Sequence, residues 1–175
     1  MNKRTLLSII TAATLTMGAG TAIAGDADDI LALGQAKITL QQAMDAALKK
    51  YAGARVADAE FDSHKNGTAE YEIELVTANN QVFKLIVDPQ TGNIVSDRPH
   101  GQRRNPIPQT SISMEQAIIT ALQQHNGSRA LNVDVDVHKN GSVDYDIEVV
   151  TADNQIYQVK VDAQNGKVIA NYLDD

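Results

Sequence analysis

Two histidines stand beside carboxylates at matching places in the chain. His64 follows Asp62 by two residues, and His138 follows Asp136 by two. A neutral imidazole next to a carboxylate is a ligand set for Zn²⁺ or Cu²⁺. Each pair is only half of a four-ligand site, so a metal centre requires the two pairs to converge or a second chain to contribute. The remaining candidate chemistry is acidic. Glu70, Glu72 and Glu74 alternate along one run, and Asp144, Asp146 and Glu148 along another. Alternate strand residues lie ~7 Å apart, too far for a paired-carboxylate acid–base mechanism. These rows suit a docking face for a basic partner or weak Ca²⁺ binding, with Lys84 and Lys160 across from them as partial neutralisers.

Both acidic runs follow the same stretch, His-Lys-Asn-Gly, at His64–Gly67 and His138–Gly141. Asn-Gly between alternating segments predicts a tight β-hairpin, here expected as a type I′ turn with both central residues at positive φ. The repeat extends well beyond the turn. Residues 38–97 align with 112–171 without gaps, about two in five paired positions being identical.

Each unit opens on a helix. Thr39 and Ser113 are N-cap residues, with Gln42 and Gln116 completing capping boxes. Leu40, Ala43, Met44, Ala47, Leu48 and Tyr51 share one face, as do Met114, Ala117, Ile118, Ala121, Leu122 and His125. Period-two strands follow. Tyr71, Ile73 and Leu75 alternate with the first acidic row, and Phe83, Leu85 and Val87 form the next inward set. Second turns are predicted at Asn79-Asn80 and Asp153-Asn154. Asp88 and Asp162 are expected to cap later turns through Asx hydrogen bonds, leading into short last strands at Ile94-Val95 and Val168-Ile169. Tyr71 and Tyr145 are expected in the core with their hydroxyls at a polar edge. The fold class is therefore α+β: two tandem units, each one helix packed on a small antiparallel β-sheet. Ile119, on the helix surface where the first unit has Asp45, is expected in an interface between the units.

The organisation read from the sequence is 1–24 signal peptide, 25–37 tail, 38–97 first repeat, 98–111 linker and 112–175 second repeat. Lys3 and Arg4 precede a short apolar run, and Ala22-Ile23-Ala24 is a small-x-small cleavage site, so the mature chain is expected from Gly25. No later segment is long enough to span a bilayer. The expected location is the periplasm or the cell exterior. The tail is read as a loose helical turn or a frayed end. The linker, with three prolines and three arginines, is read as exposed.

Formal net charge is -7, and loss of Lys3 and Arg4 leaves 13 basic against 22 acidic side chains. That balance argues against nucleic acid and anionic lipid as partners. There is no cysteine, which excludes disulfides and thiol chemistry. No G-x-S-x-G, H-E-x-x-H or phosphate-binding glycine loop is present, so the chain reads as a non-enzyme without a cofactor.

The units resemble PepSY domains. The resemblance rests on the capped helix with spaced alanines and the hairpin, then Tyr71-Glu72-Ile73-Glu74-Leu75-Val76-Thr77 and Val87-Asp88-Pro89-Gln90-Thr91-Gly92. The second copy has Tyr145-Asp146-Ile147-Glu148-Val149-Val150-Thr151 and Val161-Asp162-Ala163-Gln164-Asn165-Gly166. It implies a non-catalytic module, of the kind found in metallopeptidase propeptides and envelope proteins, that inhibits or regulates a peptidase outside the cytoplasm. The expected partner is a protein of the cell envelope. The competing readings are a periplasmic cation or small-ligand sensor or carrier, and a structural envelope protein.

Overall fold

A computed structural model describes residues 24–174. The signal-peptide segment lies outside the described residues, apart from its last residue. The elements are α1 (Ala24–Gln35), α2 (Leu40–Lys50), β1 (Arg55–Ser63), β2 (Ala69–Val76), β3 (Gln81–Val87), β4 (Ile94–Gln102), α3 (Met114–Leu122), β5 (Arg129–Val137), β6 (Val143–Val150), β7 (Ile156–Asp162) and β8 (Val168–Leu173).

The helix starts follow from their caps. Thr39 Oγ1 accepts from Gln42 N–H at 3.3 Å, while Gln42 Oε1 accepts from Thr39 N–H at 2.8 Å, and Ser113 and Gln116 repeat the exchange. Leu40, Ala43, Met44 and Ala47 of α2 are buried, as are Met114, Ala117, Ile118 and Ala121 of α3. The alanines bring each helix close to its sheet. Tyr51 stacks on Phe83 with ring centroids 4.6 Å apart, and His125 on Tyr157 at 4.1 Å.

The strands form one eight-stranded antiparallel sheet in the order β4-β3-β2-β1-β5-β6-β7-β8. Each unit supplies four neighbouring strands, and the units fuse where β1 pairs with β5. That seam is three residue pairs long: Asp58 opposite Asp134, Ala59 opposite Val133, and Glu60 opposite Asn132. Ala59 and Val133 are equivalent repeat positions, so a pseudo-twofold axis runs through this pair. The units therefore meet strand to strand, and Ile119 is 52% exposed on the helix surface rather than at a junction.

Three further features differ from the sequence expectation. The hairpin turns are not type I′. Gly67 and Gly141 take φ of 81° and 87°, but Asn66 and Asn140 do not enter positive φ. Gly67 N–H donates to His64 C=O and His64 N–H to Thr68 C=O, while the Asn66 side chain accepts from Thr68 N–H. This is the three-residue loop that ends in a left-handed glycine. Strand β4 runs on to Gln102, taking in the first part of the linker, because main-chain pairing along β3 is indifferent to side chains and Pro99 sits on an edge strand. The tail is a 12-residue helix. Its Ile30 and Leu33 join the common core, and Asp29 accepts a hydrogen bond from Ser63 N–H at 2.8 Å.

Tyr71 and Tyr145 are buried, with hydroxyls donating to the carbonyls of Ile38 (2.8 Å) and Ile112 (3.2 Å). Asp88 accepts from Gln90 and Thr91 N–H, and Asp162 from Gln164 and Asn165 N–H. Asn80 and Asn154 both sit at φ 62° in the second turns.

Candidate functional site

Alternation divides the sheet into an apolar face under the helices and an acidic face turned away from them. Tyr71, Ile73 and Leu75 are buried on the first, which sends Glu70, Glu72 and Glu74 to the second. The same alternation in β6 sends Asp144, Asp146 and Glu148 there.

Strand register then sets acids against acids. Glu74, Glu72 and Glu70 of β2 lie opposite Asp58, Glu60 and Asp62 of β1. Asp144 and Asp146 of β6 lie opposite Asp136 and Asp134 of β5, with Glu148 opposite Asn132. The seam extends the pattern. Lys84, Glu74, Asp58, Asp134, Asp146 and Lys160 fall in one line across six strands. Four carboxylates thus stand in consecutive cross-strand contact, each about 5 Å from the next at Cβ, with a lysine at each end.

The lysines turn inward onto this face. Lys84 pairs with Glu72, and Lys160 Nζ meets Asp146 Oδ2 at 2.5 Å. Asp146 Oδ1 and Asn132 Oδ1 are buried with no hydrogen-bond partner among the described residues. The middle of the line feels the consequences. Burial pushes the Asp58 carboxyl up to about 7, and Glu60, Glu74 and Asp134 push in the same direction while Lys84 opposes them. Burial, then Asp146 and Asp136, raises Asp134. Burial also raises Glu60, against the pull of Lys84. Like charges directly opposite one another in a partly buried row disfavour simultaneous ionisation.

The histidines flank this face. β1 and β5 run antiparallel, so His64 and His138 lie towards opposite ends of the sheet and the two half-sets do not converge. His138 Nε2 meets Asp144 Oδ2 at 2.6 Å, and Asp136 stands 3.7 Å from Nδ1. His64 lies 3.5 Å from Glu70 and 3.7 Å from Asp62. The nearer carboxylate in both cases comes from across the hairpin. Among the described residues, no three His, Cys, Asp or Glu side chains gather in a way that could hold a metal ion. His100, in the part of the linker taken into β4, adds a contact of 3.3 Å to Glu74.

Asp58 is hard to read from the sequence because the period-two pattern does not run unbroken up to it. A bulge between Val56 and Asp58 interrupts the period just upstream. Arg55 and Arg129 are a second pair that period-two and motif patterns do not single out. Their one sequence signal is an arginine two residues after a glycine, Gly53 or Gly127, at the same place in both repeats.

The arrangement gathers carboxylates from both units over a broad surface. It has no activated nucleophile among its named residues, and its carboxylates run in rows along the strands.

A family model described as "Peptidase propeptide and YPEB domain" matches the chain twice, over residues 37–98 and 111–172. Among solved structures, the chain is similar to a candidate lipoprotein from Clostridium difficile 630, with 21% identity and a TM-score of 0.48 over 79% of this chain and 95% of that one. It is also similar to the Bacillus megaterium YpeB C-terminal domain, with 18% identity and a TM-score of 0.31 over 80% and 67%. A DUF2874 family protein from Bacteroides uniformis ATCC 8492 gives 19% identity and a TM-score of 0.30 over 75% and 87%. No curated protein matches the chain.

Proposed function

The chain belongs to the PepSY family, carrying the domain twice, and from that premise we propose that it is a non-catalytic, exported binding module that modulates a peptidase or another envelope protein. The observation that supports this reading is the acidic face. Its carboxylates are drawn from both units and run unbroken across the seam. The docking residues in this reading are Glu70, Glu72 and Glu74 with Asp144, Asp146 and Glu148. A partner with a basic surface would gain by Coulomb attraction and by relieving the repulsion stored in the rows.

The same reading takes residues 1–24 as a cleaved signal peptide and places the mature protein in the periplasm or outside the cell. No helix among the described residues is long and apolar enough to cross a membrane.

The test is retention of envelope proteins on the immobilised chain, followed by assay of each retained peptidase with and without the chain. Retention should weaken steeply with added salt and fail for a Glu70→Lys, Glu72→Lys, Glu74→Lys variant that keeps its melting temperature. A retained set unchanged by both salt and the triple variant would sink the acidic-face reading. Retention or stabilisation that appears only with added divalent metal would favour a cation carrier that uses the separate His64–Asp62 and His138–Asp136 pairs.

A further inference from the structure

The sheet ends in β4 on one side and β8 on the other, the same strand of the two units. Their edges have diverged. β4 carries Asp97, Arg98 and Pro99, and the equivalent positions in β8 are Asn171, Tyr172 and Leu173. Charges and proline are the usual means by which an edge strand resists pairing with another chain. β4 keeps those defences, and β8 has none from Val168 to Leu173. Ile169, Tyr172 and Leu173 are 53%, 48% and 37% exposed.

The main chain of β8 is set for a further strand. Asp174 N–H donates to Ile156 C=O at 2.9 Å. Alternation along an antiparallel strand then turns the N–H and C=O of Asn171 and Leu173 away from β7.

A second copy of the same strand fits this edge in antiparallel register. With a twofold axis at Asn171, each Asn171 faces its own copy, and Ala170 faces Tyr172. β8 bulges at Ile169, since Ala170 lies opposite Lys160 and Val168 opposite the next residue, Val161. Taking up that bulge sets Val168 against Leu173 of the second copy, and both side chains point to the helix face. The following pair is Lys167 against Asp174, formed once at each end of the strand. The edge is therefore complementary to itself in face and in charge. Within the chain, β1 and β5 already join in this way, about the equivalent residues Ala59 and Val133.

We propose that β8 is an interface through which two copies of this chain associate, edge to edge, with reciprocal Lys167–Asp174 ion pairs. The proposal is independent of the acidic-face reading, because the pairing uses main-chain groups at the sheet edge and leaves Glu70–Glu74 and Asp144–Glu148 accessible.

Sedimentation velocity of the full chain over a range of concentrations tests it. A monomer–dimer equilibrium is expected. Lys167→Glu sets like charges against each other at both ends and should weaken dimerisation about tenfold or more. Lys167→Glu combined with Asp174→Lys restores opposite charges and should recover most of that loss. Tyr172→Arg with Leu173→Pro copies the defended edge of β4 and should give a monomer, circular dichroism serving to show that the fold is kept. A wild-type chain that stays monomeric at every concentration overturns the proposal. So does a dimer that survives both the charge reversal and the copied edge, or one that the double charge swap fails to rescue.

Discussion

Arg55 and Arg129 occupy equivalent positions in the two units, and each donates to the main chain that leads into the other unit. Arg129 Nη1 and Nη2 reach the Ala36 carbonyl at 3.1 Å, and Nη2 reaches Ile38 at 3.0 Å. Arg55 Nη1 reaches the carbonyls of Ile107 (2.8 Å) and Pro108 (2.5 Å), and Nη2 reaches Thr110 Oγ1. Leu33 and Ile107, the repeat-equivalent residues just before these lead-in segments, are both buried. The seam of three strand pairs is thus flanked by two arginine braces that fix each unit to the chain leading into the other. Replacing either arginine with alanine removes a donor from part-buried carbonyls. A loss of about 1–3 kcal/mol is expected per site, read from urea unfolding. A change within about 0.5 kcal/mol, ordinary for a surface substitution, would show that the brace contributes nothing.

The acidic line makes stability depend on pH in an unusual direction. The folded-state pKa of Asp58 is raised, to about 7, so the native state holds its proton more tightly than the unfolded chain does. Below about pH 4 the carboxyl is protonated in both states and imposes no penalty. The penalty grows as pH rises from about 4 to about 7 and is complete above that. Asp58→Asn should therefore stabilise the protein at pH 8 and have little effect at pH 4. With solvent screening allowed for, the gain at pH 8 is expected at about 1–2 kcal/mol. Urea midpoints at the two pH values check it, and an equal effect at both would rule out the titration.

His138 should titrate above the ordinary histidine value, because its hydrogen bond to Asp144 favours the imidazolium. A proton NMR titration of the wild type and of Asp144→Asn measures this directly. The variant should bring the histidine down, and an unchanged titration would mean that the 2.6 Å contact does not form in solution.

Tyr71→Phe keeps the buried ring and removes one hydrogen bond. The Ile38 carbonyl retains a donor from Arg129, so the cost should stay near the net worth of a single bond, about 0.5–1.5 kcal/mol. The combined Tyr71→Phe, Arg129→Ala variant should lose more than the two single losses added together, since it strips that carbonyl of both side-chain donors. Simple additivity would contradict the shared role.

Most of each unit was legible because its signals are local. The caps at Thr39 and Ser113 depend on a residue three positions away, and the Asx turns at Asp88 and Asp162 on the next three. Strand faces at Tyr71, Ile73 and Leu75 follow from period two alone. The seam was not legible for the same reason. Alternation says which way Asp58 and Asp134 point, but not which strand lies beside them, and pairing between β1 and β5 is a long-range event with no local marker. The helix α1 was also hidden. Its apolar content is small, and it is ordered by the burial of Ile30 and Leu33 and by the Asp29–Ser63 bond rather than by its own propensity. The acidic site was half visible: the rows could be read, whereas their meeting in one line across six strands required the register.

The pairing of Ala59 with Val133 means that one unit, cut free, would still carry the strand through which it recognises its twin. The chain between β4 and α3 serves as a tether that keeps the two halves at high effective concentration. A strand contact of three residue pairs gains from a partner that cannot diffuse away. A protease that cuts the tether near Arg103 or Arg104 would leave every strand intact, yet turn the assembly of the sheet from a unimolecular event into one that depends on protein concentration.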